Sequence, residues 1–174
     1  MNQYDAKPID LGDYIRSGEG ANGESYNHRT DPDVMVKIYN SNMDTSLVKA
    51  ELDVARKVFA AGIPSPEPGE LVVDDQGRYG IKFRRLTEKI SYARAIGNNP
   101  SDVQKYARMF ASMCKALHST HLKTEDFPSV KQQYLSMLEK NPFWSDRQKD
   151  FIRNIIVDTP DTDTAVHGDL QYGN

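Results

Sequence analysis

The hydrophobic pattern of this chain changes its period near residue 87, from strand-like to helical, and this change predicts an α+β fold in two parts. In the first part, VMVKIYN (34–40) is rich in β-branched and aromatic residues and follows the turn-forming TDPD, which predicts a strand. Two apolar runs within 71–86 flank a short polar turn that ends at Gly77, and they predict a β-hairpin. Between these strands, Leu47, Val54, Val58 and Ala61 recur at helical spacing before Gly62 and predict one helix with an inward apolar stripe.

The second part has the signals of several helices. A serine followed three residues later by glutamine is typical of a helix start, because the two side chains can cap exposed amide groups. Such pairs are Ser101 with Gln104, Ser129 with Gln132, and Ser145 with Gln148. Apolar stripes follow two of them and predict core positions, at Val103, Tyr106, Phe110, Cys114 and Leu117, and at Phe151, Ile152, Ile155 and Ile156. We expect a β-rich part over 1–86 and a helical part over 87–174.

Composition argues against several classes of function. The net charge of −3 gives no overall attraction for nucleic acid, and the 22 Lys and Arg are scattered along the chain, so we expect no nucleic-acid partner. The only cysteine, Cys114, has no second cysteine for an intramolecular disulfide. No apolar run reaches the roughly 18 residues of a transmembrane helix, so we expect no membrane partner. These features favour a reducing, cytoplasmic setting.

The segment SGEGANGES (17–25) places Gly18, Gly20 and Gly23 in a GxGxxG arrangement that lets backbone amides approach phosphates. A dinucleotide fingerprint would lead from a strand into a helix, whereas the strand VMVKIYN follows here. A glycine loop between two strands favours a flap over a triphosphate, and therefore ATP rather than NAD. The alternative is a glycine-rich hairpin turn that binds no ligand.

Two charged residues fall at positions where the pattern predicts burial. Lys37 lies in the strand 34–40, on one face with Met35 and Tyr39, and Glu51 lies on the predicted inward stripe of the helix. Burying either charge alone would cost several kcal/mol, so an ion pair is expected, and it would direct the ammonium group towards nucleotide phosphates. In the alternative, Lys37 reaches solvent from an edge strand and Glu51 only borders the core.

The segment HGDLQYGN (167–174) places a carboxylate and a carboxamide five positions apart on a polar loop. In phosphoryl transfer, Asp169 would accept or orient the proton of an attacking hydroxyl, and Asn174 would offer its carbonyl oxygen to Mg²⁺. Gly168 leaves room beside the aspartate. We expect His167 to hold the loop by hydrogen bonding to its backbone rather than to act as the base.

Taken in order, the glycine loop, the strand lysine, the helical glutamate and HGDLQYGN resemble the aminoglycoside phosphotransferase and choline kinase-like family of the protein-kinase-like fold. AGIPSPEP (61–68) is similar to the turn after the family's glutamate-bearing helix, and RYGIKFRRL (78–86) resembles its strand leading to the hinge. The resemblance implies a β-rich nucleotide-binding lobe with one helix over 1–86 and the helical beginning of an incomplete C-terminal lobe over 87–174.

The resemblance also implies roles for individual residues. The three glycines would cover the phosphates of ATP, Lys37 would contact them, Glu51 would hold Lys37, Asp169 would be the catalytic base, Asn174 would bind Mg²⁺, and the backbone of Arg84, Arg85 and Leu86 would meet adenine. Gly168 stands where protein kinases usually have arginine, which favours a small-molecule hydroxyl as the acceptor over a protein side chain.

The family continues past such a loop with a second metal-binding aspartate, so we expect activity to need residues beyond 174. A non-catalytic protein that binds a nucleotide or a partner is the main alternative, and a protein kinase is a lesser one.

Overall fold

The computed structural model of the protein describes residues 5–87 and 89–173. They fall into two compact units, unit 1 within Met1–Ile90 and unit 2 within Ser91–Asn174. The sequence-based boundary, between 86 and 87, lies four residues before this division. Unit 1 is β-rich with a single α-helix among its described residues, and unit 2 is helical, so the predicted α+β class is confirmed.

Strands make up most of unit 1, where one helix interrupts them, and helices dominate unit 2. Within the described residues the strands are β1 (Lys7–Pro8), β2 (Tyr14–Gly20), β3 (Gly23–His28), β4 (Val34–Tyr39), β5 (Pro68–Val73) and β6 (Tyr79–Arg84). The α-helices are α1 (Thr45–Ala60), α2 (Tyr92–Asn98), α3 (Val103–His118), α4 (Val130–Lys140) and α5 (Asp146–Asp158). Short 3-10 turns cover Leu11–Asp13, Pro100–Asp102 and Thr124–Asp126.

The strands of unit 1 form one sheet in the order β1-β5-β6-β4-β3-β2. Only the short β1 pairs in parallel, with β5, and the other pairs are antiparallel. The predicted strand 34–40 and hairpin 71–86 are present as β4 and as β5 with β6. The glycine segment forms a second hairpin, in which the turn Ala21–Asn22 joins β2 to β3.

The sheet separates two clusters of apolar side chains. On the face that carries α1, Val48 and Leu52 pack with residues of β4, β5 and β6, among them Tyr39 and Ile81. The opposite face packs Val36 and Ile38 of β4 with residues that include Tyr14 and Val72. We call these the inner face and the outer face. Successive residues of β4 alternate between them, as strand geometry requires.

The helix α1 begins at an Asp44 cap, whose side chain accepts a hydrogen bond from the Ser46 amide at 2.7 Å. Gly62, with φ of +76°, follows its end, as the sequence predicts. The buried positions are Val48 and Leu52, whereas Leu47 is 58% exposed. The predicted inward stripe, which began at Leu47, is therefore rotated by about one residue from the observed one.

The helix starts of unit 2 agree with prediction at two of three sites. The Ser145 amide donates to Gln148 Oε1 at 2.9 Å, and the Ser129 hydroxyl accepts from the Gln132 amide at 3.3 Å. The predicted start at Ser101 is wrong. Ser101 lies in a 3-10 turn and its hydroxyl donates to Asn99 Oδ1 at 2.7 Å, because Pro100 turns the chain before α3 begins at Val103.

The apolar stripes of α3 and α5 are less buried than predicted. Neither helix has a fully buried residue, and Cys114 is partly exposed. Phe151 and Ile155 are 66% and 53% exposed. On α2, Tyr92 makes edge-to-face contacts with Tyr106 and Phe110 of α3, at ring-centroid distances of 6.2 and 5.5 Å. These stripes therefore form helix contacts without a closed core in the described part of unit 2.

We predict that Leu52→Ala lowers the free energy of unfolding by about 2–5 kcal/mol, because Leu52 is fully buried and its truncation leaves a cavity. The matched variant Leu47→Ala should change the free energy by less than about 0.5 kcal/mol, since its side chain is exposed. Urea unfolding followed by circular dichroism measures both. A larger loss for Leu47→Ala would contradict the orientation of α1.

Candidate functional site

Sheet register brings several predicted residues onto the inner face. Gly18 of β2 lies opposite Ser25 of β3, Ser25 lies opposite Lys37 of β4, and Lys37 lies opposite Ile81 of β6. In the next row towards the hairpin turn, Gly20, Gly23 and Tyr39 are opposite one another in the same way. Cross-strand partners point to the same face of a sheet, so the three glycines and Lys37 share the inner face.

The three glycines differ in what requires them. A Cβ atom at Gly23 would lie 2.2 Å from the Ile38 carbonyl oxygen, so the close approach of β4 excludes any side chain there. At Gly18 and Gly20 the nearest atoms would be 3.9 Å away, an ordinary contact distance, and neither residue has a positive φ. Packing therefore explains Gly23. At Gly18 and Gly20 the packing of unit 1 does not require glycine, and the lack of a side chain leaves the backbone uncovered on the inner face.

The expected ion pair is present, with Lys37 Nζ 2.7 Å from Glu51 Oε1. It is less buried than predicted: the side chains of Lys37 and Glu51 are 30% and 45% exposed. Glu51 lies at the edge of the buried stripe of α1, next to Leu52, which explains its access to solvent. A pair of this exposure contributes at most about 1 kcal/mol to stability, so its main effect is to fix the position of the ammonium group.

Tyr39 supports this ion pair, a role that the sequence analysis did not assign to it. Its ring centroid lies 4.4 Å from Lys37 Nζ, within range of a cation–π contact. The side chain is buried, and its hydroxyl has no hydrogen-bond partner among the described residues. Burial and the neighbouring Glu51 carboxylate raise the pKa of Tyr39 far above its usual value, so the hydroxyl stays neutral. The sequence signal was an aromatic residue two positions after Lys37, on the same face.

The charged side chains of the glycine hairpin lie on the outer face. Glu19 and Glu24 are direct cross-strand partners, and Glu24 lies opposite Ile38 of the outer-face cluster. Arg16 stabilises this like-charge pair, since its Nη2 atom lies 2.7 Å from Glu19 Oε2 and 2.8 Å from Glu24 Oε1. A polar cleft of about 830 Å³ borders these carboxylates and Gly20, but Lys37 does not line it. The two faces of the hairpin thus differ in charge.

The segment expected to meet adenine lies at the other end of β4 from the hairpin turn. Arg84 pairs with Val34 of β4, and its amide donates to the Glu67 carbonyl at 2.9 Å. The Arg85 amide donates to the Asp33 carbonyl at 2.7 Å. Both amides are thus used within unit 1. Adenine contacts by this segment would need its carbonyl groups or the backbone of Leu86, whose side chain is 46% exposed.

The loop with the predicted catalytic base belongs to unit 2. Asp169 is exposed, and its amide donates to His167 Nδ1 at 3.3 Å, a backbone contact of the kind expected for His167. Gly168 has a φ of +81°, which favours glycine there. Ala165 before the loop is buried, and the Tyr172 carbonyl after Asp169 accepts from the Ala93 amide at 2.8 Å. Both ends of the loop are therefore attached to unit 2.

The predicted metal ligand, Asn174, lies outside the described residues. Over 5–87 and 89–173, the structure contains no group of three or more His, Cys, Asp or Glu side chains that could hold a metal ion. No helix in this part of the chain is long and apolar enough to span a bilayer.

No protein-family model matches this chain. Among curated proteins, the DVA-1 polyprotein of Dictyocaulus viviparus is 27% identical over 138 residues, which is 76% of this chain and 8% of the polyprotein. The chain therefore spans only a small fraction of that protein.

Two similar solved structures are complexes of APH(2″)-IIa, one with streptomycin and ATP and one with gentamicin. The first has a TM-score of 0.45 and 14% identity, and the similarity covers 80% of this chain and 50% of the other. The second has a TM-score of 0.46 and 17% identity, with coverage of 83% and 51%. The chain thus spans about half the length of these proteins. At these scores the similarity assigns neither a family nor an activity.

We predict that Gly23→Ala lowers the free energy of unfolding by about 1–3 kcal/mol, because its Cβ would overlap the β4 backbone. Gly18→Ala should be neutral or stabilise the chain by less than about 1 kcal/mol, since its Cβ meets no obstacle and the unfolded chain loses conformational freedom. Urea unfolding of the two variants provides the comparison. Equal destabilisation by both would show that packing requires both glycines.

Proposed function

We propose that unit 1 binds the triphosphate of ATP on the inner face of its sheet. The observation that carries this proposal is the row in which Gly18 lies across Ser25 from Lys37. The backbone at Gly18 and Gly20 is uncovered without any packing reason, and an ammonium group fixed by Glu51 lies on the same face. Exposed backbone amides beside a fixed cation form a suitable surface for phosphate oxygens.

The charge distribution of the glycine hairpin supports the same proposal. Its acidic residues, Glu19 and Glu24, lie on the outer face, whereas glycines and Ser25 occupy the inner face between residues 18 and 25. An anion at the inner face would therefore meet no carboxylate of the hairpin. A hairpin that served only as a turn would have no need for this separation, so the nucleotide proposal is preferred over a ligand-free glycine hairpin.

We further propose that the protein transfers a phosphoryl group from ATP to the hydroxyl of a small molecule. In this reaction Asp169 would accept the proton of the attacking hydroxyl. The hydrogen bond from the Asp169 amide to His167 and the left-handed backbone of Gly168 support a fixed loop conformation for such a base. The small residue Gly168 before the carboxylate favours a small acceptor, in the manner of aminoglycoside and choline kinases.

We also propose that Asn174 binds Mg²⁺, the ion that accompanies ATP in such transfers. Membership of the aminoglycoside phosphotransferase and choline kinase-like family, with its protein-kinase-like fold, and a cytoplasmic location are parts of the same proposal, as is the absence of a nucleic-acid partner. Non-catalytic nucleotide binding is the second candidate, because the residues proposed to bind the triphosphate all belong to unit 1.

Removal of the proposed phosphate-binding charge should weaken nucleotide binding without unfolding the chain. We expect Lys37→Ala to raise the Kd for magnesium-ATP roughly 10-fold to 100-fold, because a charge-assisted hydrogen bond to phosphate is lost. Stability should fall by about 1 kcal/mol or less, since the Lys37–Glu51 pair is partly exposed. Isothermal titration calorimetry with ATP, alongside urea unfolding, measures both effects.

The matched control is Lys82→Ala. Lys82 of β6 lies opposite Val36, on the outer face, so this variant removes the same charge one strand away and on the other side of the sheet. Its Kd for ATP should equal that of the wild type. Equal weakening by both variants would indicate a general charge effect, and no binding by the wild-type chain would overturn the nucleotide proposal.

Substitution of the proposed base should affect transfer but not binding. We expect Asp169→Asn to lower kcat by roughly 100-fold to 10,000-fold, the usual contribution of a general base, while the Kd for ATP is unchanged. The assay follows ADP release with a panel of aminoglycosides and amino alcohols. Asp163→Asn is the control, since this carboxylate pairs with His121 at 2.8 Å, six positions before Asp169.

Two further results would separate the candidate functions. Binding of ATP without transfer to any acceptor by the wild type would favour the non-catalytic protein. Transfer to protein substrates instead would favour a protein kinase. A normal rate for Asp169→Asn in an active protein would remove Asp169 from the mechanism.

A further inference from the structure

Three side chains connect the glycine hairpin to the turn between β5 and β6, and we call Glu24, Asp74 and Arg78 the bracket. Arg78 Nε lies 2.8 Å from Asp74 Oδ2, and Arg78 Nη1 lies 3.4 Å from Glu24 Oε2. Glu24 belongs to β3 and Arg78 directly precedes β6, and these two strands are separated by β4 in the sheet. The bracket therefore crosses a strand and joins elements that have no backbone pairing with each other.

Asp74 is the fixed end of the bracket. Its side chain is fully buried, and a buried carboxylate stays ionised only if it has a positively charged partner and hydrogen bonds. Oδ1 accepts from the amides of Gln76 at 3.0 Å and Arg78 at 2.8 Å, while Oδ2 takes the Arg78 guanidinium. Because both the backbone and the side chain of Arg78 are bound to one carboxylate, the guanidinium has little freedom to move away from β3.

Glu24 is the end of the bracket that lies on the glycine hairpin. Its Oε2 accepts from the Tyr26 hydroxyl at 2.6 Å, and its Oε1 lies 2.8 Å from Arg16 of β2. The hydrogen bond from Tyr26 lowers the pKa of Glu24, and Arg16 and Arg78 act in the same direction, so the carboxylate stays charged at neutral pH. Through Arg16 the contact also reaches β2. Both strands of the hairpin are thus held from the outer face.

The hairpin needs such support because β2 is the edge strand of the sheet. A second contact holds the hairpin turn, where Asn40 Nδ2 donates to the Ala21 carbonyl at 3.0 Å and the Asn40 amide donates to the Asn22 carbonyl at 3.1 Å. Asn40 follows β4 directly, so it fixes the turn to the neighbouring strand. The bracket adds the longer connection, from β3 to the start of β6.

We propose that the bracket fixes the position of the glycine hairpin relative to β4 and β6. Glu24 and Arg78 are then positioning residues for the triphosphate on the inner face. This inference rests on the proposed nucleotide site. The bracket does not touch the inner face, where Gly18 and Gly20 would meet phosphate. It acts through the backbone of β3: loss of the contact lets the hairpin open, and open hairpins present their amides too far from the phosphates.

The test combines hydrogen exchange with nucleotide affinity in the 174-residue chain. Glu24→Gln and Arg78→Gln are compared with wild type by mass spectrometry, using peptides that cover the hairpin (17–26), β4 and α1. We expect amide exchange in the hairpin to be roughly twofold to tenfold faster in both variants, with β4 and α1 unchanged, and the Kd for magnesium-ATP to rise by a similar factor. Glu24→Gln keeps the Arg78–Asp74 pair, so it tests the proposal even if Arg78→Gln does not fold.

The control is Lys7→Met, which removes the ion pair between Lys7 and Glu70 at the opposite edge of the sheet. Its hairpin exchange should match the wild type. Unchanged hairpin exchange in a folded Glu24→Gln variant would overturn the positioning proposal, as would faster exchange throughout unit 1. If the wild type binds no ATP while hairpin exchange rises as expected, the nucleotide proposal fails and the bracket is a purely structural contact.

Discussion

The register of the antiparallel strands β2, β3, β4 and β6 determines which side chains of unit 1 share a face. Lys37 lies between Ser25 and Ile81, so the lysine and the open glycines point to the side on which α1 packs. A shift of one residue in the pairing of β3 with β4 would move Glu24 to the inner face and place a carboxylate beside Lys37. The separation of charge across the hairpin therefore depends on this register.

Gly23 and Gly80 stabilise the register, since each lies where a Cβ atom would overlap neighbouring chain. At Gly80 a Cβ would be 2.6 Å from Ile38 Cδ1 and 2.7 Å from the Lys37 carbonyl oxygen. These two glycines permit close packing on both sides of β4, and their presence says nothing of a ligand. Gly18 and Gly20 have no such role. The glycines of a glycine-rich pattern can thus be present for different reasons, and only the space around each one distinguishes a packing requirement from an open backbone.

Much of unit 1 was predictable from local sequence signals. The strand 34–40, the turn at Gly77 and the end of α1 before Gly62 each follow from residue types with strong backbone preferences. The Lys37–Glu51 pair was predictable because two charges stood on apolar stripes. Its exposure was not, because Glu51 lies at the margin of the stripe, where a small rotation of α1 decides between core and solvent. Such rotations are set by packing against the sheet, which periodicity alone does not determine.

The bracket was not predictable, since no local pattern indicates that Arg78 crosses β4 to reach Glu24. Asp74 reads as one of several polar turn residues, and only the three-dimensional arrangement shows that it is buried and paired. Likewise, the start of α3 was misassigned because Pro100 redirects the hydrogen bond of Ser101. In each case a side chain met a partner that sequence spacing does not identify.

The contacts of unit 1 and unit 2 bear on different parts of the proposed function. In the proposed function, the fixed cation and open backbone of the inner face bind the triphosphate but do not activate an acceptor. Proton removal requires a carboxylate such as Asp169, whose loop is held by contacts within unit 2. The proposed binding and the proposed catalysis therefore rest on separate sets of interactions, and a protein could keep the first after losing the second. For this reason measurements of nucleotide affinity and of phosphoryl transfer are independent tests of the two parts of the proposal.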